Sequence, residues 1–161
     1  MNPKVQELQT TIAQGIWNVM PKPDWVRASF EALAIKPYFS ASGVVIHPNS
    51  IESGINGVAK AVLYAFRELR TEMAQLHANG HAWYTATFTL TPDGKFKFDF
   101  DYDHLPAFDI MPEPDKWLDE FKTYPRPELQ AQIQDWIDGR ETYQNGGSER
   151  LVKRLKTLAA Q

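Results

Sequence analysis

Apolar residues at Val5, Leu8, Ile12, Ile16 and Val19 recur at a spacing near 3.6 and predict an amphipathic helix. Pro21 and Pro23 bring it to an end. From Trp25 to Ile35 the spacing shortens to alternation. Val26, Ala28, Phe30 and Ala32 point one way and Arg27, Ser29 and Glu31 the other, which predicts a strand closed by Pro37. Gly43 precedes the β-branched run Val44–Ile46, a second short strand, and His47–Ser50 reads as a loop. A second long helix is expected to begin between Glu52 and Asn56. Val58, Val62, Ala65, Leu69, Met73 and Leu76 form its stripe, and Asn79-Gly80 its C-terminal stop.

The clearest local pattern follows. Ala86, Phe88 and Leu90 alternate with Thr85, Thr87 and Thr89. Phe96, Phe98, Phe100 and Tyr102 alternate with Lys95, Lys97, Asp99, Asp101 and Asp103. Pro92-Asp93-Gly94 between them is a turn, since Pro presets φ and Gly accepts a positive one. Two alternating runs around a short Gly turn predict a β-hairpin. One face is apolar and the other polar, so the sheet is antiparallel and covered on one side, by the two amphipathic helices. Beyond Leu105 the chain is Pro-rich. Trp117, Leu118 and Phe121 suggest a short helix, and Pro127 the first turn of another through Leu129, Ile133, Trp136 and Ile137. Asn145–Ser148 is a break with Ser148 a good N-cap, and Leu151, Val152, Leu155 and Leu158 form a last helical stripe. The expected class is α+β: an antiparallel sheet covered on one face by helices, with a helical C-terminal extension. The expected organisation is a single domain over 1–161, with a core at 1–105 and a Pro-rich segment and C-terminal helices at 106–161 packed on it.

Composition narrows the function classes. With 161 residues, 43 % of them hydrophobic and 23 % charged, the chain can bury one sizeable core. The net charge of -3 gives no support for bulk binding to nucleic acid or an anionic membrane. There is no cysteine, which excludes disulfides, thiolate metal sites and a thiol nucleophile. No secretory leader is recognised at the N-terminus and no apolar run spans a bilayer, so the expected location is the cytoplasm.

The residues that could carry chemistry gather in the hairpin. Asp99, Asp101 and Asp103 share a strand face at ~6.6–6.8 Å intervals. They fit a solvated surface, a divalent-metal site or an anionic face for a basic partner. A calcium loop starting at Asp99 would need Gly at its sixth position and Glu at its twelfth; His104 and Ile110 stand there. Charge distribution favours the anionic face. Between Asp93 and Lys122 stand nine acids and four bases, a net of -5, against +2 for the rest of the chain. Such a surface complements the basic cleft of a nuclease and steers association with it. Elsewhere, His77 and His81 read as a pair at a helix end rather than metal ligands. Gly54–Gly57 lacks the Lys-Ser/Thr of a phosphate loop. His104 beside Asp103 would face away from it along a strand.

The stretch Phe88–Asp103 (FTLTPDGKFKFDFDYD) resembles the signature of the YezG-like immunity proteins, an aromatic-rich strand, a Gly turn and a Phe-Asp-Tyr-Asp strand end after a long helix. Phe66–Arg70 (FRELR), Trp83, and Ile12–Ile16 (IAQGI) followed by a Pro and Trp25 fit the same layout, so the resemblance covers residues 5 to 105. It implies an immunity protein, or antitoxin, that binds and neutralises a cognate toxin. Such toxins belong to polymorphic or contact-dependent inhibition systems and are commonly nucleases. It further implies occlusion of the toxin's active site or a nearby surface, without catalysis or cofactor. On this reading the partner-binding residues are Asp99, Asp101, Asp103, His104, Asp109, Glu113 and Asp115. No nucleic acid, membrane, metal or small-molecule ligand is expected. The alternative is a small metal-dependent hydrolase using Asp99, Asp101 and Asp103.

Overall fold

The structure, a computed structural model, describes residues 2–21 and 24–137. The predicted break at Asn145–Ser148 and the stripe from Leu151 to Leu158 lie outside the described residues, as does the side chain of Trp136.

The first helix, α1, spans Pro3–Trp17. Asn2 caps it, its Oδ1 accepting from the backbone N–H groups of Lys4 and Val5 at 2.9 and 3.1 Å. Pro3 fits the first helical position, where no N–H is needed. The chain then forms β1 (Arg27–Ile35), turns over Lys36-Pro37, and returns as β2 (Tyr38–Ile46). A short β3 (Glu52–Gly54) follows, then α2 (Lys60–Leu76), β4 (Thr85–Leu90) and β5 (Phe96–Asp101). The five strands form one antiparallel sheet in the order β3-β2-β1-β4-β5. The expected α+β class and the hairpin are both present.

Three boundaries differ from expectation, each for a physical reason. The second strand starts at Tyr38 rather than Val44; its Ser- and Ala-rich first half is held by pairing with β1, not by its own apolar content. The second helix starts later than the Glu52–Asn56 region. Glu52–Gly54 pairs with Val44–Ile46, and Gly57 has φ +75°, a left-handed conformation incompatible with a helix. β5 stops at Asp101, so Asp103 does not continue the strand face.

Strand alternation decides where the core lies. Ala28, Phe30, Ala32 and Ala34 of β1 and Ala86, Phe88 and Leu90 of β4 face α1 and α2, joining Ile12, Ile16, Phe66 and Leu69 in one cluster. Gly15 lets the two helices approach. A Cβ there would run into Cγ2 of Val62. Among the described residues the opposite face is covered at one end only. Leu33, Ile35 and Tyr38 point that way and meet Leu105, Phe108, Met111, Trp117 and Phe121. These come from the Pro-rich segment and α3 (Pro114–Thr123). Pro127 opens a run of short helical turns, α4 (Pro127–Gln130), a 3-10 turn (Ala131–Ile133) and α5 (Gln134–Ile137), which completes this second cluster through Leu129, Ile133 and Ile137. Trp117 and Phe121 are core residues, as their helical spacing implied.

Candidate acidic binding face

The rest of the second sheet face is uncovered among the described residues. The register lines up its side chains in rows. Glu31 of β1 pairs with Thr87 of β4, which pairs with Asp99 of β5. Leu33, Thr85 and Asp101 form the next row. The turn after β5 brings Ala107 against these rows. Glu31, Leu33, Thr85, Thr87, Asp99, Asp101 and Ala107 thereby line a shallow concavity of about 230 Å³.

Glu31 is the member that carboxylate counting in the hairpin missed. The signal was present in the alternation of β1, which put Glu31 on the polar side of a sheet shared with the hairpin. Its carboxyl pKa is raised by desolvation in the concavity and then by the charge of Asp109. Glu31 is nonetheless solvent-exposed by surface area, so the crowding reflects the concave surroundings rather than enclosure. The coupling also places Asp109, on the loop before α3, electrostatically beside Glu31.

The predicted residues separate into distinct roles. Asp99 is exposed and lies 3.6 Å from Lys97 on its own strand. Asp101 organises the turn that ends β5. Its Oδ1 accepts from the backbone N–H groups of Asp103 and His104 at 2.9 and 3.1 Å, and its Oδ2 lies 3.0 Å from His104 Nδ1. This corrects the expected geometry of His104: the chain bends, so its carboxylate partner is Asp101. Asp103 meets Arg126 Nη2 at 3.1 Å while remaining exposed. Arg126 also donates to the carbonyl of Tyr102 and to Glu128, fastening the turn to the start of α4. Glu113 precedes α3 and Asp115 lies in its first turn, where the helix dipole favours a negative charge. Neither lines the concavity.

Part of the window's acidity is neutralised within the fold. Glu120 is buried against Arg70, and Asp119 lies 3.5 Å from Lys36. The acidic groups at or near the concavity are Glu31, Asp101 and Asp99, the last beside Lys97, with Asp109 acting electrostatically on Glu31. These do not form a metal cage. Glu31 and Asp99 stand two strand spacings apart with β4 between them, ~9–10 Å at normal spacing, and among the described residues no three His, Asp or Glu side chains group closely enough to hold an ion. The hydrolase alternative has no ligand set here. His77 and His81 end α2 as expected of a helix-end pair, their rings 6.2 Å apart. Among the described residues no helix is long and apolar enough to cross a membrane.

Compared with known proteins, the chain finds no match among curated sequences. A family model described as "Immunity protein YezG-like" matches residues 52–132. The matched region contains the hairpin, as expected. It is displaced from the 5–105 expected, omitting α1, β1 and β2 and continuing past Leu105 through α3 and α4. The first half of the C-terminal extension, as far as residue 132, therefore lies within the family's own region, together with Arg70, Glu120 and Arg126. Both the hairpin signature and the matched segment, which spans half of the chain, lead to one assignment: this protein belongs to the YezG-like immunity protein family.

Proposed function

We propose that this protein neutralises a cognate toxin by seating a basic surface of that toxin on the acidic concavity lined by Glu31, Asp99 and Asp101, with Asp109 adding to its negative field. Membership of the immunity family carries the reading, since an immunity role entails a toxin as partner. The chemistry of the face supports the rest. A nuclease toxin carries cationic side chains where it holds phosphates. A preformed anionic surface occupies those groups and excludes the nucleic acid, and long-range attraction speeds the encounter. Rigidity helps, because strands β1 and β5 hold Glu31, Asp99 and Asp101 in place before binding and less ordering is needed on association. The protein acts stoichiometrically, without turnover, in the cytoplasm of the cell that makes the toxin. Asp101, His104 and Asp103 shape the rim; Glu113 and Asp115 extend the negative field.

The test is co-expression with the cognate toxin domain, followed by stopped-flow association of the purified pair. Glu31→Lys and Asp109→Lys together should slow association about tenfold at low salt, with the difference shrinking above physiological ionic strength. Failure of the wild-type chain to protect cells or to form a complex would remove the immunity reading. A complex whose association rate ignores the double reversal would move the footprint elsewhere.

A further inference from the structure

We propose that β5 is the interface of a symmetric homodimer, in which the edge strands of two copies pair antiparallel about a two-fold axis through Phe98. The inference does not depend on the toxin-binding reading.

The strand stands at the edge of the sheet, bonded to β4 on one side only. Lys95 C=O accepts from Thr91 N–H at 3.0 Å and Asp101 C=O from Tyr84 N–H at 2.8 Å. Backbone groups of an antiparallel strand alternate in direction. The N–H and C=O groups of Phe96, Phe98 and Phe100 therefore point outward, where no described backbone group meets them. An open edge of this kind is a template for another strand.

The side chains specify which strand. The sequence Lys95-Phe96-Lys97-Phe98-Asp99-Phe100-Asp101 is antisymmetric in charge about Phe98. With Phe98 opposite its own copy, Phe96 faces Phe100, Lys97 faces Asp99 and Lys95 faces Asp101, each from the other chain. Every cross-strand charge pair is then attractive. A shift of two residues either way puts Lys97 opposite Lys97 or Asp99 opposite Asp99. Parallel in-register pairing aligns like charges throughout. Cross-strand opposite charges stabilise and like charges destabilise, so one register is selected. It is also the register that pairs the outward groups of all three Phe residues.

The apolar face of the edge agrees. Phe96 is 45 % exposed, and Phe98 and Phe100 are only half-buried despite ring contacts with Phe88, Phe66 and Trp83. Lys97 and Asp99 side chains are 70 % and 65 % exposed. A two-fold axis normal to the sheet keeps both Phe rows on the same face, so each copy completes the other's row.

Sedimentation of the full chain between roughly 1 and 200 µM, the range where micromolar association is resolved, should show a monomer–dimer equilibrium. Lys97→Asp and Asp99→Lys are exposed changes that preserve the fold, checked by circular dichroism. Each alone should weaken the dimer about tenfold or more. An equimolar mixture of the two single variants should form a heterodimer, and the swap K97D/D99K should recover the wild-type association. A wild-type chain that stays monomeric over this range overturns the proposal. So does a dimer indifferent to both reversals, or a mixture that fails to associate.

Discussion

Arg70 on α2 and Glu120 on α3 meet in a two-bond fork beneath the surface, Nη1 to Oε1 at 2.9 Å and Nη2 to Oε2 at 2.8 Å, with side-chain exposures of 5 % and 0 %. The pair is also hydrogen-bonded to the backbone. Arg70 Nε donates to the carbonyl of Trp83, and Glu120 Oε1 accepts the N–H of Lys36 at 2.6 Å. Tyr84 and Tyr124 rings lie 5.6 and 5.2 Å from the guanidinium carbon. One ion pair thus ties the family's long helix, the β1–β2 turn, the entry to β4 and the C-terminal extension together.

Breaking that pair from one side leaves a buried charge unmatched. Arg70→Met or Glu120→Met should destabilise by about 3–5 kcal/mol. Arg70→Lys should recover little, because an ammonium cannot reproduce the planar fork. The double variant Arg70→Met/Glu120→Met should lose less than the sum of the single losses, since no charge is stranded. It should still fall short of wild type, because the Trp83 carbonyl and the Lys36 N–H lose their partners at about 1–3 kcal/mol each. Urea denaturation of the four proteins measures the cycle.

Gly15 sits in the last turn of α1, where alanine would ordinarily improve helix stability by up to about 1 kcal/mol. Here the added methyl would overlap Val62 of α2. Gly15→Ala should therefore lower stability by about 1–3 kcal/mol, the usual range for overpacking. Val62→Ala in the same chain should restore part of it by making room. A rise in melting temperature for Gly15→Ala alone would mean that the helices can move apart freely.

These two features show where the sequence was readable and where it was not. Period-2 and period-3.6 patterns exposed α1, α2 and the hairpin, because each buries one face and the burial writes the period. Tyr38–Ser42 was hidden because its strand character comes from pairing with β1 rather than from its own residues. Arg70 and Glu120 carry no mark of burial when read alone, since charged residues are usually exposed. Their partnership spans fifty positions and exists only once α3 has docked. The same holds for the candidate face. Asp99 and Asp101 were legible from alternation, but Glu31 joins them through the β1–β4–β5 register, and it is a bend that alternation does not show that brings His104 to Asp101.

Asp101 should behave as a turn residue more than as a charge. Its Oδ1 accepts two backbone N–H groups, and an amide oxygen can do the same. Asp101→Asn should stay near wild-type stability, while Asp101→Ala should lose about 1–2 kcal/mol by stranding both donors. Thermal unfolding of the two variants separates the roles. Equal losses in both would assign the stabilisation to charge pairing with His104 instead.

Glu31 gives the face a pH signature with a definite sign. Its carboxyl is raised in the folded protein, by desolvation first and by Asp109 second. Between the unfolded value and the raised folded one, the folded state binds more protons, so stability falls as pH rises through that window. The penalty is absent well below the ordinary Glu pKa and grows with pH until the raised folded value has been passed. Glu31→Gln, which keeps the shape and removes the charge, should therefore raise the melting temperature at pH 7 and change it little below about pH 4, where Glu31 is protonated in both states. Asp109→Asn should give a smaller rise at pH 7, because it removes only the second cause. Melting curves from pH 3 to 8 test the order of the two effects. A Glu31→Gln variant less stable than wild type at neutral pH would show that the carboxylate is held by attraction, and would remove the case for an unneutralised acidic face poised for a basic partner.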